Sequence, residues 1–86
     1  MNQKVTIQHR DGSRSYLIVD GNDDMYQQIR LSLLRCPDDP DFDVEMWGNS
    51  ILMVARPLYI AVEEYPILSI EDTDEDVCPD WIKLPR

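Results

Sequence analysis

Two runs of alternating apolar and polar residues, each turning back on itself at a glycine, limit most strongly what this chain can fold into. The run Lys4-Val-Thr-Ile-Gln-His9 suits a strand with one buried face. Asp11-Gly12 follows, a pair that accepts the positive φ of a tight hairpin loop, and Tyr16-Leu-Ile-Val19 returns. A two-residue loop would set Val5 opposite Ile18 and Ile7 opposite Tyr16. Those four would share the core face, leaving Thr6, Gln8, Ser13 and Ser15 to water. Val44 to Ala55 repeats the device around Gly48-Asn49. Here Val44, Met46, Ile51 and Met53 fall on the core face, and Glu45, Trp47, Ser50 and Leu52 on the other.

Between the hairpins the period changes. Met25, Ile29 and Leu33 recur every four residues, as a helix with one buried stripe requires, and Tyr26, Leu34 and Cys36 widen it. Asp24, three residues before Gln27, reads as a variant of the capping box. Arg30 and Arg35 suit the negative end of the helix dipole, and Pro37 is the expected stop. Residues 37–43 form a stiff acidic loop.

After Arg56-Pro57 the pattern is less decided. Leu58, Ala61, Val62 and Tyr65 fit a helix starting at Pro57, but the Tyr, Ile and Val content of 58–65 favours a strand. Ile67–Ile70 reads as a further short strand, and Asp80–Arg86 as an amphiphilic tail. The expected fold is a single small α+β domain over residues 1–70, an antiparallel or mixed sheet of four to six strands with one packed helix. Residues 71–86 form an acidic C-terminal segment. The hairpin–helix–hairpin–strand order is similar to the ubiquitin-like β-grasp arrangement, in element order alone.

Charge narrows the partner class. Residues 1–35 carry five basic and four acidic side chains, whereas residues 36–86 carry three basic and thirteen acidic, a net −10. Two lysines and six arginines, scattered among seventeen acidic residues, form no basic cluster to line a phosphate backbone or an anionic bilayer, so direct nucleic-acid and membrane partners are disfavoured. Residues 1–10 show no apolar run of a secretion signal, which predicts a cytoplasmic chain with reduced thiols at Cys36 and Cys78.

Catalytic and metal chemistry finds little support. His9 is the only histidine, and a two-residue loop would place it opposite Arg14, which disfavours a charged imidazole. Two cysteines and one histidine, widely spaced, do not make a zinc site. Asp39, Asp41, Asp43 and Glu45 begin like a calcium loop, as do Asp72, Asp74 and Asp76. Val44 and Val77 then stand where the loop needs glycine, and Ser50 and Lys83 where it needs glutamate. No phosphate-cradling glycine loop is present. The expectation is a non-enzymatic protein without cofactor or metal.

What remains is a binding surface. Asp38, Asp39, Asp41, Asp43 and Glu45 form a first acidic stretch, with Phe42 and Trp47 as aromatic neighbours. Glu71, Asp72, Asp74, Glu75, Asp76 and Asp80 form a second, followed by Trp81. On extended chain, carboxylates at i and i+2 stand about 6–7 Å apart, close to the spacing of phosphates along a nucleic-acid strand. Charge steers encounter, and buried aromatic anchors supply affinity. These residues are the expected contact with a basic surface of a nucleic-acid-binding protein or complex. In length and acidity the chain resembles the small inhibitors that phages make against host nucleic-acid machinery, including restriction and CRISPR effectors. That resemblance implies a stoichiometric nucleic-acid mimic acting in the host cytoplasm. Nuclease-immunity proteins of bacterial toxins are similar in size and charge. A third reading is an interaction or assembly module whose acidity only keeps it in solution, binding or self-associating through a sheet edge or apolar patch.

Overall fold

The computed structural model describes residues 1–85. In chain order the elements are β1 (Asn2–Gln8), β2 (Arg14–Val19), α1 (Met25–Leu33), β3 (Phe42–Trp47), β4 (Ser50–Ala55), β5 (Ile60–Thr73) and β6 (Cys78–Lys83). The strands form one six-stranded sheet in the order β3-β4-β5-β1-β2-β6. Every pairing is antiparallel. The fold is α+β, with one helix on an antiparallel sheet. No helix is long and apolar enough to cross a membrane.

The first hairpin forms one residue out of the expected register. The His9 N–H donates to the Ser13 carbonyl at 2.7 Å and the Gly12 N–H to the His9 carbonyl at 3.0 Å, so the loop holds residues 10–12. Gly12 sits at φ +86°, and the Asp11 carboxylate accepts from both the N–H and the hydroxyl of Ser13. This is the three-residue loop with glycine in the left-handed position, in place of a two-residue turn. The extra loop residue pairs Val5 with Leu17 and Ile7 with Ser15. A one-residue slip turns each side chain to the opposite face. Leu17, Val19, Ser13 and Ser15 therefore face inward and are buried, while Tyr16 and Ile18 turn outward. Ile18 is buried even there, where Cys78 of β6 pairs with it. His9 lies across from Ser13, and Gln8 is the residue opposite Arg14.

Because a Cβ on residue 12 would meet nothing within 4 Å, Gly12→Ala changes only the backbone preference. Holding alanine in the left-handed region is expected to lower stability by about 1–2 kcal/mol. A urea titration should show a lower midpoint with an unchanged slope.

The second hairpin forms as its sequence predicts. Trp47 pairs with Ser50 and Val44 with Met53 around Gly48-Asn49. Val44 and Ile51 are fully buried, and Met46 and Met53 pack beside them. The helix is capped at Asp24, whose carboxylate accepts the Gln27 N–H at 3.3 Å. The Gln28 amide ties the helix to the end of β2, accepting the Asp20 N–H at 2.7 Å and donating to the Asp20 carbonyl at 2.9 Å. The helix stops at Leu33, short of Pro37. Cys36 is therefore exposed and adds nothing to the buried stripe, and both thiols are free.

The helix touches β2 and β6 near one edge of the sheet and β3 at the other. The sheet therefore curls round it. Ile29, without exposed surface, joins Val5, Ile7, Leu17 and Val19 on one side to Val44 and Ile51 on the other in one buried cluster.

The two segments expected at 58–65 and 67–70 are a single 14-residue strand, which excludes the helical alternative. Residue 70 is no boundary, since β5 runs on to Thr73 and residues 78–83 add the sixth strand. β5 serves two ladders in succession: residues 60–66 pair with β4, and residues 67–73 with β1. Register shifts occur between Met53 and Val54 and between Thr6 and Ile7. They leave Val62 and Leu68 without a direct partner, and both are exposed.

Candidate protein-binding surfaces

The first acidic stretch is largely a structural device. Asp39 is 2% exposed. Arg35 grips it in a fork, Nε to Oδ2 and Nη2 to Oδ1, both at 3.1 Å, and reaches Asp41 at 2.8 Å. Asp39 also accepts the N–H groups of Asp41 at 2.8 Å and Phe42 at 3.3 Å. The Arg35 guanidinium, helped by those N–H groups, holds the Asp39 carboxyl well below the usual carboxylate range. Asp43 is shared by Arg30 at 3.1 Å and Arg56 at 2.9 Å. Burial works to raise its pKa, but the Val44 N–H and the two guanidinium groups outweigh burial and leave it lowered. Asp39, Asp41 and Asp43, expected to face a partner, are each paired with the protein's own arginines; Asp39 is buried, and Asp41 stays exposed.

This arrangement follows from β3 being an edge strand. An open edge exposes N–H and C=O groups to any passing strand. Here the Phe42 and Val44 N–H groups are taken by the Asp39 and Asp43 carboxylates, and the Tyr26 hydroxyl donates to the Val44 carbonyl at 2.6 Å. The aspartates thus occupy part of the edge that strand addition would use.

The second stretch is different. Glu75 pairs with Lys4 at 2.8 Å, which lowers the Glu75 carboxyl and raises the Lys4 ammonium. Glu71, Asp72, Asp74, Asp76 and Asp80 are exposed and make no ion pair among the described residues. Topology brings more acid beside them. Gln3 lies between Val19 and Asp72, and Asn2 lies opposite Thr73. Gly21 packs so closely on the Met1 carbonyl that a Cβ would collide with it. Asp20, Asp23 and Asp24 thus share one end of the sheet with Glu71, Asp72, Asp74, Glu75 and Asp76: eight carboxylates against Lys4. In the sequence Asp24 reads only as a helix cap. The second stretch lies some fifty positions away from it, and only the β1–β5 pairing reveals that they are neighbours. At the other end of the strands stand Arg10, Arg14 and Lys83, with no ion pair among the described residues. Asp11, Glu63 and Glu64 stand near them, so this end is mixed in charge while the first is predominantly acidic. The phosphate-like spacing does not run through the second stretch, because the strand ends at Thr73 and the chain bends at Asp74 and Glu75.

The expected aromatic anchors also divide. Trp81 is half-buried against the core and its indole N–H donates to the Ser32 hydroxyl at 2.9 Å, so it fastens β6 to the helix. Trp47 is 66% exposed on the outer face, its indole donating to Glu45 at 3.0 Å. Asp38 is exposed beside the β3 edge. Phe42 is partly exposed and lines a hollow of about 400 Å³ with Leu33, Met53, Val62, Glu63 and Tyr65.

In the sequence Glu63 is one of two adjacent glutamates flanked by the aromatic residues Tyr59 and Tyr65. In the fold it borders this hollow and two adjoining ones of about 450 Å³. It makes no ion pair among the described residues. The Tyr65 hydroxyl is raised, first by burial and then by the Glu63 charge. His9 stands edge-on to Tyr65 with ring centroids 5.6 Å apart, its Nε2 2.7 Å from the Ser15 hydroxyl. Among the described residues no three His, Cys, Asp or Glu side chains stand together to hold a metal ion. The chain matches no family model, no curated protein and no solved structure.

Proposed function

We propose that this protein is a non-enzymatic binding protein that docks its acidic end against a basic macromolecular surface, that of a nucleic-acid-binding protein in particular. One observation carries the reading: eight carboxylates from two distant segments share one end of the sheet with a single lysine. Like charges gathered this way oppose folding, and a complementary positive surface relieves that repulsion. The contact residues are revised to Asp20, Asp23, Asp24, Glu71, Asp72, Asp74 and Asp76, without Asp39, Asp41 and Asp43. An inhibitor that displaces nucleic acid from its partner is the form of this function that the charge favours.

The test is capture of partners from source-cell lysate at low and high salt, by the parent chain and by Asp72→Asn/Asp74→Asn/Asp76→Asn. Capture should fall steeply with salt and be lost in the triple variant, and added nucleic acid should compete. Capture that survives both molar salt and the three substitutions would reject the reading.

A further inference from the structure

We propose that the hollow beside Glu63 is a socket for one long cationic side chain, arginine above all, of the partner; this rests on the function proposed above and names its anchor. Long-range charge gives fast encounter, but a tight complex needs a side chain seated in a pocket. Near the acidic end a hollow of about 320 Å³ carries one carboxylate, Asp80, and none of the eight gathered there. The hollow of about 400 Å³ offers the pocket. Leu33, Met53, Val62 and the Tyr65 ring give apolar walls for a methylene stem, which a basic side chain buries while its head group stays polar.

The charge at the socket fits a cation. Of its two carboxylates, Asp39 is engaged by Arg35, and Arg35 is itself held by Asp39 and Asp41. Asp39 is buried and engaged, while Arg35 stays mostly exposed with its charge offset by the two aspartates. Glu63 is the charge left over, on the same strand as Tyr65 and two residues from it. A guanidinium can meet that carboxylate with two parallel hydrogen bonds and lie near an aromatic ring, as the planar fork of arginine allows. The charged lining is Arg35, Asp39 and Glu63, one negative charge in excess, which disfavours an anion.

The experiment uses the whole chain and N-acetyl-arginine amide as probe, followed by two-dimensional amide NMR. Its neutral isostere N-acetyl-citrulline amide is run beside it. Shifts that saturate with arginine and gather at Leu33, Met53 and residues 62–65 are expected, with citrulline causing little. Glu63→Gln should weaken arginine binding at least about tenfold, while Asp72→Asn/Asp74→Asn/Asp76→Asn leaves the socket shifts in place. Equal shifts from citrulline, arginine shifts confined to residues 71–76, or undiminished binding by Glu63→Gln would each overturn the socket. Since the probe needs no partner, this result stands apart from the capture experiment. Salt-sensitive capture without a socket would leave the acidic end as the sole contact.

Discussion

Ile29→Ala is expected to lower stability by about 2–5 kcal/mol. Ile29 has no exposed surface and is the only fully buried residue of the helix. Around it meet Leu17 and Val19 from one side of the curled sheet and Val44 and Ile51 from the other. Removing its branched side chain leaves a cavity that rigid strands on both sides cannot close. A domain of this size holds only about 5–15 kcal/mol in total. The melting temperature should fall by roughly 10–30 °C, and circular dichroism during heating would show it. A fall of only a degree or two would mean that the helix does not hold the two sides of the sheet together.

The second large effect separates acid that builds the fold from acid that faces outward. Asp39→Ala should lower the melting temperature by roughly 5–15 °C, because it frees the N–H groups of Asp41 and Phe42 at the start of β3 and leaves Arg35 without its fork. Asp72→Asn/Asp74→Asn/Asp76→Asn should leave the melting temperature unchanged or slightly raised, since it relieves repulsion among exposed charges. The pH dependence has the same origin. Asp39 and Asp43 have pKa values below their unfolded ones. Their contribution is complete above the unfolded value of about 3.9 and is lost as pH falls through the folded values. The parent chain should therefore lose stability below about pH 4, and Asp39→Ala should show a flatter profile there. Equal melting temperatures for Asp39→Ala and the parent at pH 7 would remove the structural role of that carboxylate.

Local signals in the sequence carried the elements, and contacts between distant residues carried the rest. The Gly48-Asn49 hairpin was legible to the pair because its loop length and its apolar alternation agree. The Asp11-Gly12 hairpin was not, because the same dipeptide serves a two-residue or a three-residue loop. The apolar run Tyr16–Val19 gives either face something to bury, so it cannot choose between them. Ser13 and Ser15 looked like a wet face, yet both are buried with hydroxyl partners, Asp11 and His9. For the surface, counting charge located the acid but not its pairing. Arg30, Arg35 and Arg56 lie within 13 positions of the aspartates they neutralise, but nothing in that spacing says that they fold back onto them. The union of residues 20–24 with 71–76, and the place of Glu63 among three hollows, depend on strand order, which no local pattern encodes.

The double membership of β5 bears on what makes this chain one body. Without residues 60–66, β3 and β4 are a lone two-stranded ribbon, which is marginal at best in water. Residues 67–73 fasten that ribbon to β1, and so to every remaining strand. A break in this stretch would deprive the ribbon of its main attachment, so the region richest in repelling charge also supplies the spine on which the architecture hangs.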